Sequence, residues 1–177
     1  MVPMRVREMD KADIAAVAAI RVRGWQAAYE GIVPRTYLDA MTVDGAAAQL
    51  GQFFAQPRRQ SRHLVALAGG DDNGGPMGWI CFGPCRNEMS APGPTGEVYA
   101  LYVAPDLIGR GIGSSLLEEA HAQLRSQGFA ASALWVLAEN RQARRFYERA
   151  DYQADGATQD DVYDEATLTE VRYSRAL

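Results

Sequence analysis

The stretch between residues 97 and 137 constrains the fold more than any other part of the chain. Glu97-Val98-Tyr99-Ala100-Leu101-Tyr102-Val103 is apolar on both alternating faces, the pattern of a strand covered on both sides, and Pro105 closes it. Gly109-Arg110-Gly111-Ile112-Gly113 then leads into a segment with Ile112, Leu116, Leu117, Ala120 and Leu124 on one helical face. Gly128 is well placed to end that helix. Ala133-Leu134-Trp135-Val136-Leu137 reads as a second covered strand. Strand, helix and strand at this spacing form a βαβ crossover, so the two strands are expected to be parallel and connected right-handedly.

The remaining elements read less sharply. Residues 2–9 alternate weakly as a first strand, and Asp10 is expected to cap a helix with Ile14, Ala18, Val22, Trp25 and Tyr29 on one face. Gly31 and Pro34 end it. Residues 42–54 read as a second helix, 62–68 and 78–83 as a strand pair around a turn at 69–76, and 84–96 as a loop. Asn140 caps a helix running to about residue 150, and two strands follow, near Tyr152 and over 167–173. The fold class expected is α/β (α+β). At ~100–200 residues per domain, the 177 residues are expected to make one domain, 1–177.

Composition narrows the function. Hydrophobic residues at 47% and charged residues at 23% exclude a disordered chain, a collagen repeat and a coiled coil. A net charge of −4 disfavours a phosphate-neutralising surface, so no nucleic-acid partner is expected. Cys81, Cys85, His63 and His121 have no zinc-like spacing, so no metal is expected. No window approaches the ~18 apolar residues of a membrane span, and the charged first ten residues do not suit a signal peptide. The expectation is a cytoplasmic protein with no membrane partner.

The glycine loop carries the strongest chemical signal. Gly109, Gly111 and Gly113 permit close backbone approach just where a helix N-terminus favours an anion, and a phosphate or pyrophosphate suits it. A tight βα turn would explain the glycines equally well. The loop lacks the Gly-Lys-Ser/Thr of a P-loop, and its third glycine comes one residue early for a dinucleotide fingerprint. Asn140 and Tyr147 lie seven residues apart, two turns along one helix face. A phenol at that position could donate a proton or simply anchor its helix.

Together, Leu101-Tyr102-Val103-x-Pro105, Gly109-x-Gly111-x-Gly113, Asn140 and Arg144-Arg145-Phe146-Tyr147-Glu148 resemble the GNAT superfamily of N-acetyltransferases. The specific likeness covers residues 96 to about 156. It implies a mixed, mostly antiparallel central sheet with two splayed parallel central strands, flanked by helices. It also implies acetyl-CoA as co-substrate, with no metal, and a primary amine on a small molecule or peptide as acceptor. The backbone of Leu101, Tyr102 and Val103 would pair with the pantetheine arm, and the amides of Ile108, Gly109, Arg110, Gly111, Ile112, Gly113 and Ser114 would hold the pyrophosphate. Ile108 stands where the family commonly has Gln or Arg, and Arg110 is expected to supply the charge. Asn140 would contact the cofactor arm and Tyr147 would protonate the departing thiolate. Glu97, expected on the same face as Tyr99 and Leu101, matches a family position for a base acting through water; a solvated strand-end carboxylate is the bland alternative. Trp25, Tyr29 and Glu30 fall where relatives form the acceptor wall. Homodimers are common among relatives, and no interface can be read from this sequence. The rivals are an acyl-CoA-binding sensor of the same fold without turnover, and a nucleotide-binding protein.

Overall fold

The structure is a computed structural model that describes residues 3–57, 59–69, 74–87 and 93–177. The expected turn at 69–76 and loop at 84–96 therefore lie partly outside the described residues, as does the first residue of the expected strand at 2–9. In chain order the elements are β1 (Met4–Glu8), a 3-10 turn (Lys11–Asp13), α1 (Ile14–Ala28), α2 (Arg35–Asp39), α3 (Val43–Phe54), β2 (Arg62–Ala68) and β3 (Pro76–Pro84). They continue with β4 (Thr95–Val103), a 3-10 turn (Pro105–Leu107), α4 (Ile112–Ser126), β5 (Ala131–Leu137), α5 (Arg141–Arg149), β6 (Gln153–Tyr163) and β7 (Ala166–Ala176).

Local chemistry sets the boundaries. The Asp10 carboxylate accepts from the Ala12 N–H at 2.8 Å and Asp13 reaches back to the Asp10 N–H, a reciprocal cap that starts the 3-10 turn before α1. Thr42 Oγ1 accepts from the Gly45 N–H and starts α3. In α4 the five residues of the apolar face are all buried, and Gly128, at φ +89°, follows its last turn.

The seven strands form one sheet in the order β1-β2-β3-β4-β5-β7-β6. Every neighbouring pair is antiparallel except β4 and β5, which are parallel. That parallel pair holds register over only Thr95↔Ala131, Gly96↔Ser132 and Glu97↔Ala133, and beyond it the strands diverge. One apolar layer joins β2 and β3 to α4 through Leu64, Ile80, Phe82, Leu116 and Leu124. The other joins them to α1 and α3 through Val17, Val22, Leu50, Val65 and Trp79. Burying large apolar side chains on both faces contributes ~1.5–3 kcal/mol per residue, which fixes the strands against the helices.

One irregularity overturns a sequence expectation. Cys81 pairs with Ala100 and Phe82 with Val98, so Tyr99 is an extra residue bulged from β4. Past it the alternation reverses. Leu101 and Val103 pack with Val98 on the α4 side, whereas Tyr99, Ala100 and Tyr102 pack on the α1 side. A Cβ on Gly96 would strike Leu124 of α4, so Gly96 also faces α4 and Glu97 faces α1. Glu97 thus shares a face with Tyr99 and not with Leu101.

Candidate active site

Where β4 and β5 part, a cavity of about 730 Å³ runs through the sheet. From Val98 onward β4 has no strand partner on its β5 side, so its peptide groups there are free to pair with an extended ligand. Leu101, Tyr102 and Val103 line the opening.

At one end the cavity meets the N-terminus of α4. Gly109 and Gly111 take φ values of +86° and +82°, a left-handed conformation that lets the chain turn tightly into the helix. Gly111 is the residue immediately before the helix and contributes no side-chain cap. The first N–H groups of this 15-residue helix therefore remain for an anion. Gly113 acts differently: a Cβ there would meet the Phe146 ring at 3.2 Å, so its bare backbone permits α5 to pack close to α4. Ile108, 53% exposed, Ile112 and Ser114 also line this end. Arg110 is exposed and is not part of the lining, so the charge expected from it is not directed into the cavity.

Asn140 and Tyr147 arrive together on α5. Asn140 Oδ1 accepts from the Ala143 N–H at 3.1 Å, which starts the helix and leaves the amide nitrogen as a donor at the cavity. Tyr147 lines the cavity with its ring edge-to-face on Phe146 (5.1 Å) and Tyr152 (5.8 Å). Burial, reinforced by the neighbouring Tyr29 and Tyr152 phenols, pushes the Tyr147 phenol well above its ordinary range. It therefore keeps its proton at neutral pH.

The three residues expected at an acceptor wall separate. Tyr29 lines the cavity, with its hydroxyl 3.4 Å from that of Tyr102. Trp25, one turn earlier, is packed behind it against Tyr29 (4.7 Å), Tyr163 (6.0 Å) and Tyr37 (6.2 Å), outside the lining. Glu30 is exposed beyond the end of α1 and does not reach the cavity.

Glu97 is 1% exposed and sits where β4 and β5 still pair, outside the lining. It accepts from the Arg86 N–H at 2.9 Å, Nε at 3.1 Å and Nη2 at 2.6 Å. Arg86 also lies over the Tyr99 ring at 4.9 Å. Nothing in the sequence around Arg86 marks it as this partner.

His121, on α4, lines the cavity and is packed there: Nε2 lies 2.7 Å from the Tyr152 hydroxyl, which also meets Ser132 Oγ at 2.7 Å. Cys81 is buried in the core with Sγ 3.5 Å from His63 Nε2. The acidic run Asp160, Asp161, Asp164 and Glu165 is exposed on the β6–β7 hairpin. Among the described residues, no group of three or more His, Cys, Asp or Glu side chains is arranged to hold a metal. No helix among them is long and apolar enough to cross a membrane.

A parallel pair that splays opposite a glycine-led helix N-terminus, with an asparagine and a protonated tyrosine on the facing helix, defines a site for an extended, anionic ligand. The family model described as "Acetyltransferase (GNAT) family" matches residues 25–152. The chain is 30% identical to the "Probable N-acetyltransferase Rv2775" of Mycobacterium tuberculosis, over 88% of this chain and 83% of that one. It is also 30% identical to the "Uncharacterized N-acetyltransferase YuaI" of Bacillus subtilis, over 76% of this chain and 72% of that one. Its fold resembles the crystal structure of PaiA N-acetyltransferase from Thermoplasma acidophilum in complex with coenzyme A. That match has a TM-score of 0.74 at 17% identity and covers 99% of both chains. This chain belongs to the acetyltransferase (GNAT) family and is an acyltransferase of the N-acetyltransferase class.

Proposed function

We propose that the chain, acting as one domain over residues 1–177, moves an acetyl group from acetyl-CoA to a primary amine of a small molecule or peptide. The observation that carries this reading is the cavity itself: the unpaired edge of β4 leads from the free amides of α4 to the Tyr147 phenol. The main chain of Leu101 to Val103 pairs with the pantetheine arm, and the amides from Ile108 to Ser114 receive the pyrophosphate. The Asn140 amide donates to the arm near the thioester. Coenzyme A bound in the PaiA structure supports the same use of the same fold.

The reaction needs no protein nucleophile. The amine nitrogen attacks the thioester carbonyl carbon, the C–N bond forms and the C–S bond breaks. The departing thiolate, whose parent thiol has a pKa of ~8.5, takes the Tyr147 hydroxyl proton, and solvent restores the phenol. The acceptor, with a pKa of ~10.4 for a lysine-like amine, must first lose a proton. In this reading that proton leaves through water toward Glu97, the buried carboxylate on the α1 face of β4. A thiol-release assay with acetyl-CoA against a broad amine panel tests the proposal. Acetyl transfer to at least one amine supports it, and acetyl-CoA binding without transfer to any amine would leave a sensor instead.

A further inference from the structure

The cavity has two sides. Its α1 side carries the rings of Tyr29 and Tyr102, Trp135 beneath the Arg172 guanidinium, and the Glu170 carboxylate. Its α4 side reaches past Tyr147 into the closed end of the fork between β4 and β5. The last rung of the parallel pair is Glu97↔Ala133, so Val98 and Leu134 are the first residues beyond it. Both line the cavity, and Leu117 of α4 joins them. All three are buried in one apolar layer, with Tyr147 packed against it. The fork therefore ends in open space bounded by aliphatic side chains.

One turn further along α4, ~6 Å from Leu117, His121 bounds this space. Its Nε2 is engaged by the Tyr152 hydroxyl at 2.7 Å, and that hydroxyl by Ser132 Oγ at 2.7 Å. Burial, then Arg175 and Arg125, lowers the His121 pKa to about 4, so the ring is neutral at pH 7. Arg175 Nη1 donates to the Ala150 carbonyl at 2.7 Å, and its Nε to the Ala176 carbonyl at 3.1 Å. Glu118 and Arg149, the other charged residues lining this side, are exposed and belong to its outer rim. An apolar occupant leaves all of these bonds in place and gains by leaving water.

The position of the space says which apolar group reaches it. A thioester arm that pairs along β4 from Val103 to Leu101 carries its acyl group onward, toward Val98. We infer that the fork is an acyl-chain pocket, and that it takes straight saturated acyl groups of three and four carbons as well as acetyl, and more tightly. The chemistry is unchanged: the C–S bond breaks, the C–N bond forms, the thiolate takes the Tyr147 proton, and only the substituent on the carbonyl lengthens. This inference rests on the acyl-transfer reading above and widens the donor for the same site.

Calorimetry with acetyl-, propionyl-, butyryl- and octanoyl-CoA reads the pocket without an acceptor. Burying one methylene tightens binding about fourfold. Propionyl-CoA is therefore expected to bind about fourfold, and butyryl-CoA at least tenfold, more tightly than acetyl-CoA. Octanoyl-CoA, too long for one helix turn, should gain nothing over butyryl-CoA. Leu117→Phe is expected to cut the advantage of butyryl-CoA over acetyl-CoA at least fivefold, and Leu117→Ala to shift the preference toward the longer chain, with melting curves to confirm that each variant is folded. Acetyl-CoA bound as tightly as its longer homologues, a continued gain at octanoyl-CoA, or a butyryl advantage that neither variant moves overturns the inference. Thiol release with the amine panel separates it from the wider reading. Acetyl transfer with no gain from chain length overturns this inference alone, whereas no binding of any of the four thioesters overturns the wider reading and this one with it.

Discussion

Arg86 grips Glu97 from the solvent side, giving the buried carboxylate three hydrogen bonds from one residue. The guanidinium is largely exposed while the carboxylate is 1% exposed, so the pair is closed on one side and wet on the other. Replacing the acid leaves a cation that water can still solvate. Replacing the arginine side chain strips partners from a buried charge, the costlier change. Arg86→Met is therefore expected to lower the unfolding free energy by about 1–3 kcal/mol, and Glu97→Gln by less. Urea unfolding of both variants checks the order. If Glu97 also takes the amine's proton, Glu97→Gln lowers kcat by ~10² or more. An unchanged kcat assigns Glu97 to the ion pair alone.

Tyr147→Phe removes one hydroxyl and keeps the ring contacts with Phe146 and Tyr152. The expected result is a fall in kcat of ~10²–10⁴ with acetyl-CoA affinity little changed, read from steady-state kinetics and calorimetry. Because the phenol is shifted upward, it is protonated throughout the neutral range. Any loss of rate on acidification must come from the amine or its base.

Two glycines of the loop should fail in different ways. Gly111→Val places a β-branched side chain at φ +82°, so the turn must shift and the α4 amides move with it. An acetyl-CoA dissociation constant raised tenfold or more in a folded protein is expected. Gly113→Ala instead presses on the Phe146 ring, and its main readout is a lowered melting temperature.

Acid should destabilise the fold through two histidines. Burial, with a further push from Arg59, lowers the His63 pKa to about 4. Burial, then Arg175 and Arg125, does the same for His121. Both are neutral in the folded chain and protonate near pH ~6.5 when it unfolds. Their contribution is thus fully present above about pH 6.5 and is lost as the pH falls toward 4. Allowing for partial screening by solvent, each histidine removes about 1 kcal/mol per pH unit across that window. Urea unfolding at pH 7.5 and 5.0 reads the loss, and His63→Phe should reduce it by about half.

Acetyl-CoA is expected to raise the melting temperature. Ligand at a hundredfold excess over its dissociation constant adds ~2.7 kcal/mol to stability, whereas NAD should add nothing comparable. Differential scanning with acetyl-CoA, coenzyme A and NAD measures this. Stabilisation by NAD alone would count against the acetyltransferase reading.

The parts of the site that are local in sequence were legible there. The βαβ crossover, the glycine turn and the two-turn interval from Asn140 to Tyr147 are patterns within one continuous stretch of chain, and the structure has them. What depends on the sheet was not legible. The bulge at Tyr99 has no glycine or proline to announce it, yet it moves Leu101 to the opposite face from Glu97. Trp25 and Tyr29 share a helical stripe in sequence, but only Tyr29 reaches the cavity because three tyrosines enclose Trp25. Glu170 joins the wall only because β7 inserts between β5 and β6, an order that no local pattern encodes. β6 is an eleven-residue strand exposed along nearly all its length, without the apolar alternation that would reveal it.

The three rungs joining β4 to β5 have a consequence for how such a chain can diverge. Beyond Glu97 and Ala133 the groove's polar edge is made of peptide groups, which every residue type supplies alike. Mutation can exchange the side chains along that edge without erasing it, provided the strands stay parted and the turn before α4 stays tight. The α1 side has no such protection, since its character resides in side chains, the rings of Tyr29, Tyr102 and Trp135 and the carboxylate of Glu170 among them. Two kinds of surface thus meet in one cavity: one written in backbone shape, which substitution alters little, and one written in side chains, which a single substitution can remake.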